Sequence, residues 1–190
     1  MRHDRERWNQ KYSQGASFGP PCSLIASFFH LAPGKRVLDI AAGDGRNALF
    51  LAQKGFHVLA VDISDEAMSL LRQKRSLALF PVQADMDTFP IRPMTYDLII
   101  NCRFLDRRLF PYIQEGLTKN GILIFESALE SHQPGISQPQ NRDHLLRANN
   151  ELLHSFLSLH ILLYRESIQI DSQNQSHVSF ASLIAQKTNF

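Results

Sequence analysis

Three aspartates and two glycines in the first half of the chain stand where they could hold one small, positively charged ligand. Asp39 lies in the apolar run "VLDI", four residues before Gly43, and Gly45 follows two residues further on. Asp62 lies 19 residues after Gly43, and Asp85 closes the next apolar run with Met86 beside it. Glycines at such a turn let bare backbone approach a ligand closely. A carboxylate at Asp62 can accept from both hydroxyls of a ribose, a device that NAD sites also use. Gly43, Gly45 and Ala48 satisfy a loose G-x-G-x-x-A pattern, which dinucleotide-binding proteins share. Asp39 separates the two readings. A carboxylate inside the end of the first strand would repel a pyrophosphate and suits a cation such as the ammonium of a methionine moiety. Asp85 could accept from an adenine amine, with Met86 lying against the ring. Together the acids match S-adenosylmethionine better than NAD.

The elements that must position these residues follow from periodicity. Residues 4–12 read as a helix with Trp8 and Tyr12 at i, i+4 spacing, and "SLIASFFHLA" as a second helix. "GKRVLDI" is a strand, "RNALFLAQKG" a helix closed by Gly55, "HVLAVDIS" a strand, and "SDEAMSLLRQKR" a helix that Ser64 can cap. "LALFPVQAD", weakened by Pro81, "YDLIIN" and "ILIFES" supply three more strands. "DRRLFPYIQEGL" reads as helical and "KNG" as a turn. Such alternation predicts an open α/β sheet with helices on both faces. Further on, "HLLRANNELLHSFL" reads as a helix. "SLHILLYRES" and "HVSFASLIAQ" are strands too close together for a helical crossover, and so antiparallel neighbours. The polar stretch "DSQNQSH" between them reads as a turn or loop.

Bulk properties narrow the function. A chain of 190 residues, 44% hydrophobic, fits one domain with a sizeable core. A net charge of +2 without a basic run gives no strong pull toward nucleic acid or anionic membrane. No apolar stretch approaches the ~20 residues of a membrane span, and the charged N-terminus does not read as a signal peptide. Cys22 and Cys102 are too few for a disulfide framework and lack metal-site spacing, and the histidines show no ligand pattern. A cytoplasmic protein without a metal is therefore expected.

The segment "VLDIAAGDGRNALFLAQKGFHVLAVD" resembles the cofactor-binding motif of class I S-adenosylmethionine-dependent methyltransferases. "GDGRN" is especially similar to the small bacterial group of tellurite-resistance and thiopurine-type enzymes, and the likeness runs from Val37 to about Glu126. The resemblance implies a Rossmann-like, seven-stranded, mostly parallel sheet with an antiparallel last strand. It also implies Asp39 near the methionine end, Gly43 and Gly45 beneath it, Asp62 on the ribose, and Asp85 with Met86 at the adenine. Ala41, Ile63 and Asn101 complete the expected cofactor set; Ala41 stands where the family has its first glycine. Residues 1–190 are read as one domain, with N-terminal helices over 1–32 forming a lid. The cofactor-binding half then spans 33–126, and a C-terminal helix and hairpin 127–190.

The expected function is methyl transfer to a small-molecule acceptor: a thiol, a metalloid oxyanion or a compact carboxylate. S-adenosylhomocysteine would be the product, made by a monomer or homodimer. Tyr12 and Arg103 are the candidate catalytic residues, bordering the transferred methyl, with Arg103 able to hold an anion. Trp8, Phe104, Glu126 and His132 lie on the same side. The cluster Arg103, Arg107, Arg108 could contact phosphate or form an ion-paired face, and Arg142 or Arg147 could reach the pocket. "NCRFLD" carries neither the proline–cysteine pair of cytosine C5 methylation nor the proline signature of adenine methylation. An RNA or protein methyltransferase, or a cofactor-binding regulator without turnover, are the alternatives.

Overall fold

Alternation at a period of two sorts the strand residues onto two faces of one sheet. Val37, Leu98, Ile100, Ile122 and Ile124 pack into one core layer, while Leu38, Ile99, Leu123 and Phe125 pack into the other. The computed structural model describes residues 2–15, 19–74, 76–138, 142–147, 150–170 and 176–188. Its strands are β1 (Arg36–Ile40), β2 (His57–Asp62), β3 (Leu79–Gln83), β4 (Tyr96–Cys102), β5 (Leu117–Ala128), β6 (His160–Ile170) and β7 (His177–Gln186). They form one seven-stranded sheet in the order β3-β2-β1-β4-β5-β7-β6. β7 runs antiparallel to both its neighbours, and the β3-to-β5 pairs are all parallel.

Helices α1 (Arg2–Ser13), α2 (Ser23–Phe28), α3 (Arg46–Gln53) and α4 (Asp65–Arg72) cover the Val37 face. Helices α5 (Phe110–Gly116) and α6 (Glu151–Ser155) cover the other, where the rings of Phe110 and Phe156 lie 5.1 Å apart. Local chemistry explains the boundaries. Gly55 follows α3 at φ 82, a left-handed C-terminal stop. Ser64 caps α4, accepting from the Ala67 amide at 3.1 Å. Pro111 sits in the first turn of α5, where its missing N–H costs nothing. Pro81 is tolerated because β3 is an edge strand.

Two expectations need correction. "KNG" is not a separate turn: Lys119–Gly121 lie within β5, as an irregularity in its pairing with β4 where Asn120 takes φ 60. The helix expected over "HLLRANNELLHSFL" is reduced to α6, entered from a left-handed Asn150 at φ 64. Upstream of it the Leu146 amide donates to the Ala128 carbonyl at 2.8 Å, in a single parallel bridge just past the end of β5. Residues 171–175 of the expected loop lie outside the described residues. Among the described residues, no helix is long and apolar enough to cross a membrane.

The strand order reverses between β1 and β4, and in such sheets ligands gather at the carboxyl ends beside that point. Register brings the candidate residues there. Asp39 pairs with Ala60 and Ile100, Ile40 with Asn101, Cys102 with Glu126, and Glu126 with Ser182.

Candidate cofactor and acceptor site

The turn after β1 is built from left-handed residues: Ala41 at φ 54, Gly43 at φ 57 and Gly45 at φ 78. Ala41 thus holds a left-handed conformation that favours glycine, at the cost of some backbone strain. A Cβ on Gly45 would stand 2.3 Å from Leu71 Cδ1, so a side chain there would force Leu71 to shift. Asp62 ties this turn to the β2–α4 connection. Its Oδ2 accepts from the Gly43 amide and its Oδ1 from the Ser64 amide, both at 2.8 Å. Each oxygen keeps a lone pair for a hydroxyl. Burial raises the Asp62 carboxyl above its ordinary value, opposed by the Ser64 and Gly43 amides.

Asp39 sits behind the same turn and is 1% exposed. One side of its carboxylate meets the Ala48 amide, while Oδ2 finds no hydrogen-bond partner among the described residues. Burial pushes its carboxyl well above the ordinary value, and the Asp62 charge adds to that, against the Arg46 guanidinium. A buried, half-satisfied carboxylate is costly without a counter-charge. A cationic ammonium is the group such a site fits.

The remaining cofactor candidates are placed more loosely. Asp85 lies two residues beyond β3, half-buried, and its Oδ1 accepts from the Asp87 amide at 3.0 Å. Met86 is buried in the core layer with Ile40, Val61 and Ile99. Ile63 is half-buried, and its carbonyl accepts from Gln83 Nε2 at 3.1 Å. Asn101 is buried at the end of β4, its Nδ2 donating to the Phe104 carbonyl at 2.6 Å.

On the acceptor side, Tyr12 is 4% exposed and stacks with Trp8 at 6.0 Å. Burial, with the charges of Asp62 and Asp44, raises its phenol far above the ordinary value. Tyr12 therefore stays neutral and is no general base at physiological pH. Helix α1 is docked by Asn9, which accepts from Ser64 Oγ at 2.7 Å and donates to Asp65 at 2.6 Å. Arg103 takes φ 65 on the loop after β4, its amide donating to the Glu126 carbonyl at 2.7 Å. Its exposed guanidinium lies 5.1 Å from the centre of the Phe180 ring. Arg107 pairs with Glu151, and Arg108 with Asp106 and Asp87, which makes that pair an ion-paired face. His132 is exposed, and Arg147 lines a polar recess with Arg107, Glu130, Asp143 and Leu145.

Three residues escaped the linear pattern. Arg46, directly after Gly45, donates to Cys102 Sγ at 3.6 Å. Asn47 accepts the Cys22 amide at 2.9 Å. Cys22, which showed no metal-site spacing to Cys102, lies beside it and Glu126 in space. The Cys102 hydrogen bond lowers the Cys22 thiol, and the same bond with burial raises Cys102.

Comparisons with known proteins agree with this architecture. Residues 37–120 match a family described as "Methyltransferase domain". TehB of Haemophilus influenzae (strain 10810), named as an S-adenosyl-L-methionine-dependent methyltransferase, is 25% identical over 95% of this chain and 65% of its own length. The crystal structure of Haemophilus influenzae TehB superposes with a TM-score of 0.74 at 21% identity, covering 97% of this chain and 67% of that one. The Bacillus subtilis (strain 168) protein YqeM, named as a methyltransferase, is 30% identical over 48% of this chain and 41% of its own length. The chain thus spans about two thirds of TehB and less than half of YqeM. The chain is thus similar in sequence across the glycine turn to a methyltransferase domain, and along nearly its whole length it has the fold of TehB.

Proposed function

We propose that this protein binds S-adenosylmethionine at the β1 turn and transfers its methyl group to a small-molecule acceptor in the cytoplasm. The observation that carries the reading is Asp39, a buried carboxylate with an unpartnered oxygen behind a left-handed turn. When bound, the cofactor supplies an electrophilic methyl, whose carbon–sulfur bond breaks as the acceptor's lone pair forms the new bond, leaving S-adenosylhomocysteine. Asp39 would hold the ammonium, with Ala41, Gly43 and Gly45 presenting backbone beneath it. Asp62 would hold the ribose hydroxyls, while Asp85 and Met86 border the adenine end, and Ile63 and Asn101 complete the cofactor set. The helices over 1–32 would act as the lid, Tyr12 closing the site as a neutral hydroxyl that excludes water. Alignment and water exclusion can supply ~7–11 kcal/mol of the barrier reduction in favourable cases, so no dedicated base is required.

Arg103 is the acceptor-facing cation of this reading, which favours an anionic or thiolate acceptor: a thiol, a metalloid oxyanion or a compact carboxylate. The test is a methyl-transfer panel read as S-adenosylhomocysteine formed. An acceptor turned over by the wild type should lose kcat/KM in Arg103→Ala while cofactor affinity is kept. Unchanged acceptor kinetics in that variant remove Arg103 from the site. Tight cofactor binding without turnover on any acceptor would favour a regulatory binder, and salt-sensitive RNA binding a nucleic-acid enzyme.

A further inference from the structure

Cys22, Cys102 and Glu126 bring two sulfur atoms and a carboxylate oxygen within 4.8 Å of one another, although 80 and 24 residues separate them along the chain. Cys102 and Glu126 are cross-strand partners on β4 and β5, so their side chains emerge on the same face. Cys22 arrives over them from the start of α2, its backbone fixed by Asn47. A chain of polar contacts runs through the cluster. Arg46 Nη2 donates to Cys102 Sγ at 3.6 Å, the Cys102 and Cys22 sulfurs lie within 4.8 Å of each other, and Cys22 Sγ donates to Glu126 Oε1 at 3.5 Å. The other oxygen, Glu126 Oε2, accepts from Ser182 Oγ at 2.9 Å and Gln169 Nε2 at 3.3 Å. Glu126 is thereby oriented with Oε1 toward the sulfurs.

A buried cysteine serving only as a small apolar filler needs none of these partners. We infer that Cys22, Cys102 and Glu126 form a site for a borderline-soft divalent cation of the zinc class. Zinc binds thiolate at about 2.3 Å and carboxylate oxygen at about 2.0–2.2 Å, so tetrahedral ligands stand about 3.5–3.8 Å apart. The Cys22–Glu126 separation of 3.5 Å already has that spacing. Charge also balances. Two thiolates and a carboxylate carry three negative charges, a divalent ion offsets two, and the Arg46 guanidinium beside Cys102 offsets the third. The ion replaces two S–H protons, which leave to solvent, and no electron is transferred. Cys102 is half-buried, which gives the ion a route in. Ser182 and Gln169 play the orienting part that outer hydrogen bonds play at metal ligands. Three protein ligands leave one of four tetrahedral positions to solvent or substrate. The inference stands independently of methyl transfer.

The test is titration of the reduced, full-length protein with Co²⁺, followed by displacement with Zn²⁺. One equivalent should produce thiolate-to-cobalt charge-transfer absorption, with about two protons released per ion. Zn²⁺ should remove the band. Cys22→Ser and Cys102→Ser should each abolish it, and Ser182→Ala, which leaves the ligands intact, should weaken affinity about 10–100-fold. Absence of the band in the wild type overturns the site, with or without foldable cysteine variants. So does a band that survives in the double cysteine variant, or a Cys22–Cys102 disulfide that forms in air in a protein taking up no metal when reduced.

Discussion

Two buried aspartates of the same sheet have opposite fates. Asp97, at the start of β4, is 7% exposed and fully answered. Its Oδ2 accepts from the Arg36 amide at 3.0 Å and Arg36 Nε at 3.2 Å, and its Oδ1 from Thr118 Oγ1 at 3.0 Å. Burial pushes its carboxyl up, but these donors outweigh it and the net shift is downward. Gly34 lets the backbone close over it, since a Cβ there would stand 2.4 Å from Asp97 Oδ2. Asp39, in β1 toward the opposite end, is as deeply buried and only half answered, and its carboxyl is pushed well up. One end of the sheet spends a carboxylate on stability. The other holds one ready for a ligand, at a cost to the ligand-free fold.

The contrast can be broken by swapping what each aspartate does. Asp39→Asn should weaken S-adenosylmethionine binding about 100-fold or more, the scale of removing one partner of a buried charge pair. The same variant should make the ligand-free protein more stable, by about 1–3 kcal/mol, because a desolvated charge lacking its partner is gone. Asp97→Asn should do the reverse. Cofactor affinity should hold, while one of the two donors, the Arg36 amide on Oδ2 or the Thr118 hydroxyl on Oδ1, loses its acceptor, costing about 1–3 kcal/mol in urea unfolding. Loss of cofactor binding in Asp97→Asn would dissolve the distinction.

Gly45→Ala tests the turn that faces Asp39. A left-handed alanine pressed on Leu71 should cost about 1–3 kcal/mol and lower cofactor affinity. pH sharpens the comparison. Asp39 and Asp62 are raised on folding, so their protonated forms favour the native state. Their contribution is full below the ordinary carboxylate range and is lost as pH rises through their raised values. Asp97 is depressed, so its contribution is present above that range and lost as pH falls through its folded value. Asp39→Asn should flatten the stability curve above the ordinary carboxylate range and Asp97→Asn below it. Chemical denaturation across pH reads both. Ala41→Gly is the smallest effect expected, a gain of no more than about 1 kcal/mol as the strain at φ 54 is relieved.

The sheet and its turn were legible because their signals are local. Period-two apolar runs, Ser64 before its helix, and glycines at positions 43, 45 and 55 each act within a few residues. Asp39 was legible for the same reason, since its place in "VLDI" relative to Gly43 is a matter of four residues. What stayed hidden depends on tertiary placement. No spacing along the chain relates Cys102 to Glu126 or Glu126 to Ser182, which the pairing of β4, β5 and β7 brings together, or Cys22 to Cys102, which the docking of the α2 start on Asn47 brings together. The helix expected over 144–157 is shorter than its apolar spacing suggests because Leu146 is held in a bridge beside the end of β5. Asn150 then turns that chain into a five-residue helix.

The most direct measurement is calorimetric titration of the wild type and Asp39→Asn with S-adenosylmethionine, S-adenosylhomocysteine and NAD near neutral pH. The wild type should bind both sulfur ligands and not NAD, with binding weakened about 100-fold or more in the variant. Wild-type protein that binds neither sulfur ligand, or a variant that binds them undiminished, would contradict the role given to Asp39.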